Sequence, residues 1–487
     1  MGKTAEASMK QFWYKHQFWA RIVVLLLIAI AVVVNAVDEI QPRTVEADAR
    51  HNLAMAYNHF QYGVVSDLRI DTPDVTPTYR REPLYSLMLS GVLTAIADPK
   101  TTTQKCLTEP QPACETLQLK LQWFNLGWLL ALTLATFLAG RIILGDNAAP
   151  YIASLLVGFA PGFTEAISNF YTELAAALPL LILATFLYLC LTRRQWQKYA
   201  IAAGCAFAAL MLTKAVFLYF GVILALAFTL YAYQQSSWKP LKMAVTILLV
   251  AYAIAGVWMT RNYFYFGTAK IAGRGGEVLA IRAKFSEMNW TEYRASWLAY
   301  TPNYGEPLLE KFFQPEDYAR FDRANPEGFY RSTKNRISEM RESDVVQRIF
   351  QQQQIDEALK QESIDKIKQN WLKHLALTGT FAYRGSFIKM FAENSMVPVR
   401  LFYIASLFLV SGLALKYRDV GMVFFLLPAW FSFGIHAVAS HYISRFSVPL
   451  IPCLAIAFCL LIIRYRPKLG QKKRPLKSQP DFVRGKS

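Results

Sequence analysis

Two short polar stretches supply the residue types for chemistry in an otherwise apolar chain. Asp38-Glu39 ends an apolar segment running roughly from Ile22 to Val37, and Tyr79-Arg80-Arg81-Glu82-Pro83-Leu84-Tyr85 follows further along. A carboxylate held where a helix leaves hydrocarbon is costly unless it has a task, and one task is that of general base toward a hydroxyl. Paired guanidiniums grip phosphate through parallel N–H donors. Pro83 disfavours helix at Glu82 and suits a helix beginning just after it, so a helix N-terminus and two arginines would meet one anion together. Blander readings stand beside these: two acids that merely end a span, and arginines that merely pair with neighbouring carboxylates.

Other ionisable residues fall at similar places. Glu165 and Glu173 flank a short polar connection, and Glu173 opens an apolar run in Asn169-Phe170-Tyr171-Thr172-Glu173, where a helix N-terminus favours a carboxylate. Asp38 and Glu173 together would suit a divalent cation such as Mg or Mn, but two acids do not specify a metal, and its identity is left unknown. Arg261 lies at the end of another span, and His436, His441 and Arg445 crowd the last polar turn. Lys214 sits near a hairpin end and faces either lipid or phosphate. Cys106 and Cys114 share a polar loop, where they are either bridged or free thiols. Cys190, Cys205, Cys453 and Cys459 lie in apolar runs and read as small buried hydrophobes.

The elements that must position these groups are membrane helices. Of 487 residues, 54% are apolar and 18% charged, the mean hydropathy is +0.23, and several apolar runs approach the ~20 residues that cross a bilayer. The net charge of +18 would suggest nucleic acid in a soluble chain. Its placement argues otherwise: the segment from Arg464 to Lys486 is rich in Lys and Arg against the single acid Asp481, the pattern of a cytoplasmic tail. The first apolar run ends in acids with no small-residue cleavage site, so it reads as a retained span.

Ten spans are expected, at 22–37, 121–140, 149–165, 171–192, 199–213, 215–234, 241–259, 399–415, 421–438 and 446–463, within an all-α polytopic membrane protein of about ten or eleven crossings. Arg141, Arg193-Arg194 with Lys198, Lys239 with Lys242, and Lys416 with Arg418 then all fall inside, with both termini cytoplasmic. Residues 1–260 form an N-terminal membrane module that includes an outer loop, 38–120. Residues 261–398 form a second outer loop domain, 399–463 the last spans, and 464–487 the basic tail. Leu84 to Ala97 is too short to cross and reads as an interfacial or re-entrant helix. Ala272-Gly273-Arg274-Gly275-Gly276 lacks the spacing of a nucleotide loop and reads as a flexible turn. Ile337 to Leu375 has the pattern of one or two amphipathic helices lying on the membrane.

In order and place, these motifs resemble the polyprenyl-phosphate-sugar-dependent membrane glycosyltransferases of the GT-C superfamily, which include protein O-mannosyltransferases and aminoarabinose transferases. The resemblance rests on Asp38-Glu39 after the first span, Gly63-Val64-Val65-Ser66, Arg81-Glu82-Pro83-Leu84-Tyr85, Tyr171-Thr172-Glu173, Arg261-Asn262-Tyr263 after Trp258, and Arg445 with Pro449 and Pro452. It implies a GT-C fold and an inverting transfer of a sugar from an undecaprenyl or dolichyl monophosphate to a glycan, lipid or protein acceptor. Asp38 would be the base, with Glu39 and Glu173 beside it. Arg80, Arg81, Glu82, Tyr85, Arg261 and Arg445 would shape the donor phosphate site, with Glu165, Lys214, His436 and His441 as accessory or acceptor residues. The implied location is a bacterial inner membrane with the site facing the periplasm. The lysine that often adjoins the glutamate in aminoarabinose transferases is absent, so that specific activity is not implied. Two rivals remain: a ligase moving a glycan from a lipid diphosphate, and a lipid or glycan flippase.

Overall fold

The computed structural model describes residues 2–45, 47–68, 75–112, 114–340, 345–387 and 397–464, and the described chain is helical throughout, with no strand among the described residues. The basic tail expected at 464–487 lies, but for the backbone of Arg464, outside the described residues. Among the described residues, seven helices are long and apolar enough to cross a membrane: Phe18–Glu39, Glu115–Leu144, Thr172–Thr192, Ala215–Gln235, Lys239–Phe266, Val420–Ala439 and Ser444–Ile463. An eighth crossing is a bent pair, Ala149–Gly158 and Pro161–Asn169, with a 42° angle between them. Pro161 lacks an N–H for the preceding turn and pushes Ala160 out of helical geometry, which accounts for the bend. The chain is therefore an integral membrane protein with several spanning helices.

Against the expected ten or eleven crossings, eight are met by these helices, and helices also occupy the two other expected positions, 199–213 and 399–415. Trp196–Thr213 is a helix of 18 residues, but its first turn, Trp196-Gln197-Lys198-Tyr199, is polar, and at ~1.5 Å per residue it spans little more than ~27 Å. The expected span at 399–415 falls in the helix Val397–Lys416, of 20 residues, whose stretch Ile404–Lys416 is apolar. Both pack within the bundle. Lys239–Phe266, by contrast, runs well past the expected end at residue 259.

Burial sorts the bundle into centre and rim. Thr172–Thr192 and Ser444–Ile463 are each 72% buried over their apolar windows, against 17% for Phe18–Glu39 and 28% for Lys239–Phe266. Helices with apolar residues all round suit a bundle bathed in lipid, where small residues let backbones approach. Ala175, Ala176 and Ala177 are buried in the opening turns of the first of these. Gly204 does the same at the crossing of Trp196–Thr213 with Lys239–Phe266, where a Cβ would stand 2.7 Å from Val250.

Two helical clusters lie beyond one end of the bundle. In the first, Ala47–Tyr62 packs on Leu84–Ile96 through Leu53, Tyr57, Leu89 and Leu93, and a disulfide joins Cys106 to Cys114. Leu84–Ile96 has 13 residues, too few to cross. In the second, Gly275–Phe285 is gripped by Phe329–Glu339 and Val345–Gln369. The apolar face expected to lie on the membrane is used here instead: Ile355 and Leu359 are buried with Ile337 against Ala280 and Met340. Trp371–Ser386 then returns to pack on Val420–Ala439, tying this cluster to the spans.

Candidate active site

A cavity of about 900 Å³ opens where the two clusters meet the bundle, with Asp48, Glu165, Tyr171, Glu173 and Arg445 among its lining residues. Asp48 occupies the first turn of Ala47–Tyr62, where the unpaired N–H groups of a helix start favour negative charge. Three guanidiniums from distant segments converge on it. Arg81 reaches Asp48 Oδ1 at 2.5 Å, Arg274 the same oxygen at 3.3 Å, and Arg445 reaches Oδ2 at 2.9 Å. Burial works to raise the Asp48 pKa, but Arg81, Arg274 and Arg445 outweigh it and hold the carboxyl well below its ordinary range.

The cluster extends through Arg445 into the bundle. Its Nε lies 3.3 Å from Glu173 Oε1, which also accepts from Lys214 Nζ at 3.1 Å. The Arg445 guanidinium lies over the Tyr171 ring at 4.0 Å, which fixes its plane. Glu82 accepts a hydrogen bond from the Ala215 backbone N–H at 3.1 Å, anchoring the arginine motif beside Lys214. Four cations thus pair directly with two carboxylates, while Glu277 and Glu82 also act on Arg274. The buried Nε–H groups of Arg81 and Arg274 have no hydrogen-bond acceptor among the described residues, and Arg445 Nε is not aligned to donate to Glu173. Orphaned buried donors of this kind are uncommon and mark a place for an anion.

Backbone packing explains how Arg274 arrives. The glycine-rich stretch expected to be a flexible turn is instead tightly packed. Gly273 N donates to Tyr79 O at 2.8 Å, and a Cβ on Gly273 would stand 2.5 Å from the Tyr79 ring. Gly276 N donates to Asp356 Oδ1 at 2.7 Å, with the Asp356 carbonyl where its own Cβ would be. Only glycine allows these close approaches, Gly273 between the two clusters and Gly276 within the second.

The other named residues are placed as follows. Asp38 is exposed at the end of the first span, Glu39 pairs with Arg43 at 3.4 Å, and neither lines the cavity. Arg80 turns away from Asp48 to the buried Glu277 at 3.3 Å and Asp67 at 3.9 Å. Arg261 stacks on Trp258 at 4.6 Å and donates to the Thr78 and Val65 carbonyls, so it braces the strand of chain that carries Arg80 and Arg81. Tyr85 is buried and donates to Asn125 Oδ1 at 3.0 Å. Glu165 lines the cavity. His436 packs on Phe446 at 4.9 Å, while His441 is buried between Tyr330 and Phe446. Among the described residues no group of three or more His, Cys, Asp and Glu is placed to hold a metal ion.

The structure thus brings together Arg81, Glu82, Glu173, Lys214 and Arg445, and adds two residues that sequence reasoning missed. Asp48 stands among other acids of a polar loop, and Arg274 in what reads as a turn. The available signal was an acid at a helix start with an apolar stripe behind it, Leu53 and Tyr57.

No family model matches the sequence, and no curated protein is significantly similar to it. Among solved structures, the chain is similar to the oligosaccharyltransferase AglB of Archaeoglobus fulgidus in complex with an inhibitory peptide and a dolichol-phosphate. The identity is 13% and the TM-score 0.49, over 92% of this chain and 51% of that one. It is also similar to ArnT of Cupriavidus metallidurans bound to undecaprenyl phosphate, at 13% identity and a TM-score of 0.37, over 91% and 78% of the two chains. The chain spans about half the length of the oligosaccharyltransferase. At these scores neither neighbour decides the family or the activity of this chain.

Proposed function

We propose that the protein is an inverting glycosyltransferase that moves a sugar from a polyprenyl monophosphate, undecaprenyl or dolichyl, to an acceptor at the outer face of the membrane. The observation that carries this reading is the convergence of Arg81, Arg274 and Arg445 on Asp48 in the wall of the cavity. In the transfer, an acceptor oxygen attacks the anomeric carbon and the bond from that carbon to the phosphate oxygen breaks. Its electron pair leaves with the phosphate, which becomes a monoester carrying about −1.5 to −2 charge at neutral pH. The converging guanidiniums would stabilise that developing charge, and their orphaned N–H groups suit its oxygens. The leaving phosphate needs no proton, so cations and one base suffice.

The acceptor proton passes to a carboxylate. Asp48 is preferred here to Asp38, the base implied by resemblance, because Asp48 lines the cavity and Asp38 does not. Its low pKa fits the role once the arginines turn to the departing phosphate: their hold on Asp48 weakens and its basicity rises as the proton arrives.

The test uses purified full-length protein in lipid nanodiscs with a membrane extract as acceptor source. Labelled sugar on undecaprenyl monophosphate is expected to be transferred. Transfer confined to a glycan on undecaprenyl diphosphate would replace this reading with the ligase, and transfer from neither would remove both.

A further inference from the structure

Three more arginines line the same cavity, and nothing in the transfer just described employs them. Arg323 and Arg331 are exposed and Arg384 is half-buried, all three supplied by the cluster between Gly275 and Ser386. None forms an ion pair among the described residues, although Glu165 shares the lining. Arg323 lies over the Tyr330 ring at 4.6 Å and Arg384 over the Tyr300 ring at 4.5 Å. A guanidinium over an aromatic ring keeps edge N–H groups for an anion, and of Arg384's donors Nη1 is given to the His441 carbonyl at 3.3 Å. Burial, with the Arg323 charge added to it, pushes Arg384 below the ordinary arginine value. Next to them His441 is buried with its Nδ1 unpartnered, held well below its ordinary value by burial and by Arg384 and Arg323. The lining carries four arginines against Asp48, Glu165 and Glu173, and like charges gathered in excess are unfavourable unless an anion joins them.

We propose that Arg323, Arg331 and Arg384 form a second anion subsite, which takes a phosphate or carboxylate group of a substrate other than the donor's reacting phosphate. This rests on the transferase reading of the cavity. That anion has two sources: an acidic acceptor, such as a phosphorylated sugar or glycolipid, or the second phosphate of a diphosphate-linked donor. Both present the same chemistry to the arginines.

The experiment measures binding to full-length protein in nanodiscs by calorimetry, for wild type and Arg323→Gln/Arg331→Gln. Both substituted residues are exposed, so the fold should survive; Arg323→Lys/Arg331→Lys, which keeps the charge, controls for it. The probes are methyl glucoside, methyl glucoside 6-phosphate, undecaprenyl monophosphate and undecaprenyl diphosphate, the glucosides with and without bound undecaprenyl monophosphate. An acidic-acceptor subsite predicts that the phosphorylated glucoside binds at least tenfold more tightly than the neutral one. That advantage should fall by roughly tenfold or more in the double Gln variant and recover in part in the Lys variant. Undecaprenyl monophosphate binding should not change. A second-phosphate subsite predicts that the same variant weakens only the diphosphate lipid. Equal binding of every probe by wild type and the Gln variant would overturn the proposal. Failure of undecaprenyl monophosphate to bind at all would instead overturn the donor reading, while the glucoside comparison without lipid would still decide the subsite.

Discussion

At the residue scale the site is a matter of charge held against burial. Asp48 keeps its charge because three guanidiniums surround it, and each of those is held by something else as well: Arg81 by the anchored motif, Arg274 by the glycine packing, Arg445 by Glu173 and Tyr171. Replacing Arg81 by Lys keeps the charge but loses the fork, and should weaken undecaprenyl monophosphate binding about ten- to a hundredfold, read by titration. The pH dependence follows from the sign of the Asp48 shift. Its folded pKa lies below the unfolded value of about 4, so the pairing stabilises the protein above that pH and is lost as pH falls through the folded value. Asp48→Asn should therefore melt below wild type at neutral pH, and the gap should close on acidification below about pH 4, as followed by scanning fluorimetry.

At the scale of elements, the spans were legible because an apolar run near bilayer length marks a helix, and each expected span falls on a helix or a bent helix pair. The boundaries were less legible: Trp196–Thr213 begins a polar turn before its apolar run, and Lys239–Phe266 continues past its own. The amphipathic pattern around Ile355 and Leu359 was read correctly as a helix and incorrectly as a membrane surface, because periodicity shows that a face is apolar and not what covers it. Asp48 and Arg274 were not legible, since their importance lies in partners drawn from segments far apart in the chain. Charges at span ends, such as Glu173 and Arg445, were singled out because hydrocarbon makes any ionisable residue there conspicuous. One substitution tests the element that delivers Arg274. Gly276→Ala places a Cβ 1.9 Å from the Asp356 carbonyl oxygen, so Gly275–Phe285 must shift, at a cost of about 1–3 kcal/mol. Donor binding should fall with it, as in Arg274→Gln, while Gly256→Ala, where no atom lies within 4 Å, should leave both unchanged.

At the scale of the whole molecule, charge separates the two ends of the bundle. Arg21 and Arg141 both pair with Asp146 at the end remote from the cavity, which joins the first span to the link after Glu115–Leu144. The cavity end carries the Asp48 cluster and both helical clusters. Under the topology proposed here, a cysteine replacing Asn303 should react with an impermeant maleimide in intact cells, and one replacing Asp146 should react only after permeabilisation, both in a Cys205→Ser background. The opposite pattern would invert the orientation. The most direct measurement of the central claim is single-turnover transfer from undecaprenyl monophosphate carrying a labelled sugar, by wild type, Asp48→Asn and Asp38→Asn in nanodiscs with membrane-extract acceptor. Loss of a positioned base predicts a fall of about a hundredfold or more for Asp48→Asn with the donor still bound, and little change for Asp38→Asn. Full transfer by Asp48→Asn, with loss in Asp38→Asn, would contradict the account and return the base to the end of the first span.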